Sequence, residues 1–223
     1  MVAIKRRGKD AFMLGIWGWL MTIGCTVIFV LLARGISNQK VFHWDTTLFQ
    51  TGRSVSNGRL TRFALAVTKL GTLQFQFLCL VGGSVIYLWF RRIGEPILLF
   101  LCLSGVWGIN VALKAVFHRE RPILDPYLMV GGYSFPSGHT MSSMAFYGMA
   151  GYLLWQTLRR RIKLAWVIPI LTSIIVLTIG WSRIYLGVHY ASDVVAGFAA
   201  GGIWLIICLA GTYQWRNFRA PSS

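Results

Sequence analysis

The chain has 223 residues, 56% of them hydrophobic and 13% charged, about half the charged share of an ordinary soluble domain. Its 22 basic and 6 acidic side chains give a formal charge of +16. A single soluble domain is excluded by several separate apolar stretches near the roughly 20 residues needed to cross a bilayer. The basic residues lie between those stretches rather than on one face, so anionic lipid headgroups, not nucleic acid, are the expected partner.

The N-terminal KRRGKD precedes AFMLGIWGWLMTIGCTVIFVLLA. That charge order is shared with signal peptides, but the apolar part is too long and no small-x-small site follows, so it reads as a retained first span over 11–33. The next segment, VFHWDTTLFQTGRSVSNGRLTRF, is too polar to cross and reads as a short interfacial helix or a plain connecting loop. Apolar windows predict further helices over 71–90, 96–116, 140–158, 164–185 and 190–212. The expected fold is therefore all-α: one integral membrane domain over 1–223, a six-helix transmembrane bundle with a short interfacial helical segment between spans one and two.

Lys5, Arg6, Arg7 and Lys9, Arg91 and Arg92, Arg159 to Arg161 with Lys163, and Arg216 and Arg219 all fall on one side by span parity. The bias of basic residues toward the cytoplasm puts both termini there. The bias is incomplete, because Lys40, Arg53, Arg59 and Arg62 lie in the opposite loop. Cys25, Cys79, Cys102 and Cys208 sit in apolar stretches without metal-ligand spacing and read as reduced packing residues.

The same parity brings three polar stretches to the outer face: KAVFHRERP (114–122), PSGH (136–139) and SRIYLGVHYASD (182–193). Ionisable groups at membrane depth are costly and are usually functional or paired. Lys114 and Arg121 are two helical turns apart and share a groove if the third span continues past its apolar part. Two fixed cations suit a phosphate, although each alone also reads as a span-end residue snorkelling to headgroups. Ser137 is placed to cap the fourth span, and Gly138 lets a ligand approach the backbone N–H groups of a helix terminus. Pro-Ser-Gly before a helix is equally an ordinary turn and cap.

His189 and Asp193 stand at i, i+4, the spacing of a nucleophile and its orienting carboxylate, or of a structural hydrogen bond. Arg183 supplies a third cation six residues earlier, and His139 is the candidate acid for a leaving oxygen. Two histidines and an aspartate also raise a zinc site, which three neighbouring cations and the absence of H-E-x-x-H oppose. His43 and His118 read as solvated loop or interface residues.

Lys114-x6-Arg121-Pro122, Pro136-Ser137-Gly138-His139 and Ser182-Arg183-x5-His189-x3-Asp193 together resemble the three signature motifs of the type-2 phosphatidic acid phosphatase superfamily. The layout resembles its bacterial membrane members, which act on phosphatidylglycerophosphate or undecaprenyl pyrophosphate. The resemblance implies a lipid phosphatase working without metal or other cofactor. It implies that His189 forms a phosphohistidine oriented by Asp193 and that His139 protonates the leaving oxygen, then activates water. It also implies that Lys114, Arg121, Arg183, Ser137 and Gly138 hold the phosphoryl oxygens, on a lipid reached sideways from the bilayer. Phosphotransfer to another lipid is the alternative at the same site, and lipid or anion transport a more distant one.

Overall fold

The structure, a computed structural model, describes residues 2–38, 42–54, 57–122 and 131–218. These form eight α-helices with no strand among them: α1 (Val2–Ser37), α2 (His43–Ser54), α3 (Gly58–Leu70), α4 (Leu73–Trp89), α5 (Gly94–Phe117), α6 (Gly138–Leu158), α7 (Val167–Tyr185) and α8 (Ala191–Phe218). A 3-10 turn over Lys163–Trp166 leads into α7. The all-helical expectation is met.

Four stretches are long and apolar enough to cross a bilayer: Gly15–Ser37, Gly94–Phe117, Lys163–Tyr185 and Ala191–Gln214. Trp19, Leu78, Ile86, Val116 and Leu177 remain exposed on helix surfaces, as lipid-facing side chains do. The second expected span, 71–90, is the single helix α4, which is too short to cross by itself. α4 has 17 residues, about 25 Å of helix, short of a hydrocarbon core of roughly 30 Å. It joins α3 across a bend of 54°, and the pair counts as a fifth crossing only if taken as one broken span.

The fourth expected span, α6, falls outside that count on composition rather than length. It runs 21 residues but carries His139, Thr140, Ser142 and Ser143 in its first turns. It can do so because α5, α7 and α8 pack around it, and Thr140 and Ser143 are fully buried. A helix enclosed by protein does not need an apolar surface for lipid. Gly197 of α8 sets the closeness of the central pair, since a Cβ there would meet the Ser137 carbonyl oxygen at 2.8 Å.

The expected interfacial segment is two helices, α2 and α3. The Asn57 side chain starts α3, its Oδ1 accepting from the N–H groups of Arg59 and Leu60 at 3.1 and 2.9 Å. α3 packs on α7, while α2 lies against α7 and α8. At the far end of the bundle Arg92 Nη1 donates to Thr157 Oγ1 at 3.0 Å, tying the end of α4 to the end of α6.

Candidate active site

The polar centre gathers where α5 and α7 end and α6 and α8 begin. α5 stops at Phe117: His118 takes a left-handed conformation (φ 45°) and its N–H bonds the Lys114 carbonyl at 3.3 Å. The third span therefore does not carry Arg121, and helical spacing is not what brings it to Lys114. Instead the segment after α5 meets the segment before α6, the Ser134 N–H bonding the Arg119 carbonyl at 2.7 Å. Arg121 is fastened to the segment before α6. Its Nε donates to Gly132 O at 2.9 Å, and Nη2 reaches Gly131 O and Tyr133 O, both at 3.3 Å.

His189 occupies the short link between α7 and α8, 2% exposed, above the fully buried Asp193 of the first turn of α8. Its Nδ1 is 3.4 Å from Asp193 Oδ2, and Arg121 Nη1 is 3.2 Å from its Nε2. A carboxylate only accepts and a guanidinium only donates, so the proton belongs on Nδ1 and the lone pair on Nε2. Burial pushes the His189 imidazole down to about 4 against the pull of Asp193, with Arg183 and Arg121 lowering it further. The ring is therefore neutral near pH 7.

Asp193 is itself held by three further donors. Ser134 Oγ and the Tyr190 N–H (2.9 Å) bond its Oδ2, and Arg119 Nη1 bonds its Oδ1 at 2.6 Å.

The remaining cations, Arg183 and Lys114, lie in the same cluster. Arg183, 5% exposed, donates from Nη1 to Thr68 Oγ1 at 2.5 Å, while its Nε has no partner among the described residues. Lys114 lies within electrostatic range of Arg121, Asp193 and Arg183. His139, in the first turn of α6, lies within range of Arg183, His189, Lys114 and Arg121. The α3–α4 bend presses on it: a Cβ on Gly71 would meet His139 Cδ2 at 2.9 Å.

Ser137 stands at the N-cap position of α6 but makes no side-chain cap bond. Its Oγ accepts from Thr140 Oγ1 at 3.0 Å, and its N–H donates to the Asp193 carbonyl at 3.0 Å. The space left by Gly138 is filled from α5, where a Cβ would meet Asn110 Oδ1 at 2.8 Å. His43 and His118 are both exposed, and His118 packs edge-on against Tyr133 with ring centroids 4.5 Å apart. Among the described residues, no cluster of three or more His, Cys, Asp or Glu side chains is placed to hold a metal ion.

Sequence reasoning missed Thr68, Ser134, Ser192, Arg119 and Asp45. Only Asp45 carried a signal, as one of 6 acidic residues against 22 basic ones.

This constellation, on an all-helical membrane scaffold, defines a phosphoryl-handling enzyme. Residues 95–217 match the PAP2 superfamily, and the chain belongs to it. Family members are metal-independent hydrolases of lipid phosphates, and this chain is an enzyme of that class. It is 28% identical over 195 residues to phosphatidylglycerophosphatase B of Bacillus subtilis (strain 168), covering 86% of this chain and 95% of the relative. It is 34% identical over 143 residues to a putative undecaprenyl-diphosphatase, YbjG, of Escherichia coli (strain K12), covering 59% and 64%. The crystal structure of a transmembrane PAP2-type phosphatidylglycerolphosphate phosphatase from Bacillus subtilis superposes with a TM-score of 0.81 at 25% identity, over 89% of this chain and 98% of the other.

Proposed function

We propose that the chain removes the terminal phosphate of a membrane lipid through a phosphohistidine at His189. The carrying observation is the ring's polarity: Nδ1 toward Asp193 at 3.4 Å and Nε2 toward Arg121 at 3.2 Å. A phosphoryl group drawn to the guanidinium meets the nitrogen that holds the lone pair. The Nε2 lone pair forms the N–P bond as the P–O bond to the lipid breaks, and His139 gives its proton to the leaving oxygen. Deprotonated His139 then takes a proton from water, whose oxygen attacks phosphorus, breaks the N–P bond and releases phosphate. Lys114, Arg121, Arg183, Ser137 and the Gly138 backbone offset the charge on the phosphoryl oxygens.

Phosphatidylglycerophosphate and undecaprenyl pyrophosphate are candidate substrates because the relatives' names carry them, and phosphatidic acid shares their reacting group. The tail stays in the bilayer and the headgroup arrives sideways between helices, with anionic lipids around the basic rim. The bundle crosses six times, counting α6 and the bent α3–α4 pair, in a bacterial-type inner membrane. Both termini are cytoplasmic and the site faces outward, supported by the basic clusters at the far end. In intact cells a membrane-impermeant thiol reagent should label Glu120→Cys and spare Lys163→Cys. The reverse pattern inverts the orientation.

Purified protein in detergent with EDTA should release phosphate from at least one of the three lipids, and His189→Ala should not. Full release by that variant removes the proposed nucleophile.

A further inference from the structure

Asp45 lies on α2, outside the 95–217 stretch that defines the family match, yet its carboxylate is 1% exposed and reaches the core of the site. Its Oδ1 accepts the Ser192 N–H at 2.8 Å and its Oδ2 accepts the Ser192 hydroxyl at 2.6 Å, across 147 positions of sequence. It thus caps the first turn of α8, the turn that carries Asp193. Its Oδ2 also accepts from Arg119 Nη2 at 3.0 Å. The same guanidinium donates from Nη1 to Asp193 Oδ1 at 2.6 Å and to Ser192 Oγ at 2.7 Å. Tyr190 covers it, with the guanidinium carbon 4.2 Å from the ring centroid.

We infer that Asp45 and Arg119 are positioning residues for the nucleophile: Asp45 shares the Arg119 guanidinium with Asp193, and so leaves Asp193 its negative charge for His189. The inference rests on the phosphohistidine reading. The charges decide the sign. Asp45, Arg119 and Asp193 sum to one negative charge, matching the one positive charge that develops on the imidazole as Nε2 bonds phosphorus. Without Asp45, Arg119 and Asp193 cancel, and the charge on the ring loses its counter-ion in a site where water does not screen it. Arg119 is suited to this because a planar fork can grip two carboxylates at once, which a lysine cannot.

The test is single-turnover phosphorylation of the full-length enzyme in detergent by ³²P-labelled phosphatidic acid, phosphatidylglycerophosphate or undecaprenyl pyrophosphate, whichever the wild type hydrolyses. Asp45→Asn keeps the size of the side chain and an acceptor for the Ser192 N–H. It should lower the rate constant of phosphoenzyme formation by about tenfold to a hundredfold, the range for losing a partner behind a reacting group, with the amplitude unchanged. Arg119→Lys should fall in the same range, and Asp45→Asn added to Arg119→Lys should cost less than about twofold more, because both act through one interaction.

A purely structural role for α2 lowers the amplitude, through fewer folded molecules, and leaves the rate constant alone. That result, an unaltered Asp45→Asn enzyme, or losses that multiply in the double variant would each overturn the inference. Wild-type phosphorylation untouched by Asp45→Asn overturns this inference alone. A wild type that hydrolyses lipid with no phosphoenzyme overturns the histidine reading and this inference with it.

Discussion

Arg121 and His189 face each other across 3.2 Å, with the guanidinium on the ring nitrogen assigned the attack. On the proposed mechanism this contact breaks as a phosphoryl group enters, and one Nη1–H passes from Nε2 to a phosphoryl oxygen. The guanidinium keeps its place meanwhile through the carbonyls of Gly131, Gly132, Tyr133 and Val188. Arg121→Lys retains the charge and loses most of these ties. It should lower kcat/KM by about a hundredfold or more, the scale of losing one charge-stabilising donor, with the melting temperature within a few degrees of wild type. Steady-state kinetics and thermal unfolding check both halves.

His139 is assigned the leaving-group proton, so its loss should matter in proportion to how much the leaving group needs one. His139→Gln should slow phosphate release from a lipid monoester by about 10²-fold or more. Release from p-nitrophenyl phosphate, whose phenolate leaves unaided, should fall far less in the first chemical step. Equal losses on both substrates in the rate of that first step would remove the acid role.

The depressed His189 imidazole gives a pH signature. Its folded value of about 4 lies below its ordinary 6.5, chiefly through burial. Between those values the unfolded chain binds more protons than the folded one, so stability falls as pH drops through that window. The ring signal lost in His189→Ala should show no titration between pH 8 and 5 by NMR of the protein in detergent, and His189→Gln should flatten the acid-side loss of stability. A titration midpoint near 6.5 would contradict the neutral nucleophile.

Vanadate, which takes the geometry of the phosphoryl group in transfer, should inhibit competitively. Removing Arg183, whose Nε–H has no partner among the described residues, should weaken that inhibition by about tenfold or more, the scale of one hydrogen bond to a charged group. Inhibition curves for wild type and Arg183→Lys decide it.

The sequence made the helices and the three polar stretches legible because both are local: apolar runs of span length, and fixed spacings such as His189 to Asp193. It misled where a local rule met a tertiary constraint. Lys114 and Arg121 have helical spacing, yet His118 closes α5 first, and Arg121 is held outside the helix by the Val188 carbonyl instead. α6 looked like an ordinary span, but its early turns are polar because neighbouring helices enclose them. The roles of Asp45, Thr68 and Ser134 were not legible, whatever signal the scarcity of acidic residues gave for Asp45, because each acts on a partner far away in sequence: Asp45 on Ser192 and Arg119, Thr68 on Arg183, Ser134 on Asp193. No spacing rule links such residues: the packing of α2 and α3 on α7 and α8 brings Asp45 and Thr68 to their partners, and the segment before α6 brings Ser134 to Asp193.

The most direct measurement is chemical trapping of the enzyme intermediate. Acid quench destroys phosphohistidine and alkali preserves it, so wild-type enzyme stopped in alkali during turnover should carry one phosphoryl group, which mass spectrometry should place on His189. An unmodified His189 during active turnover, or a phosphoryl group on His139 or a carboxylate, would contradict the account.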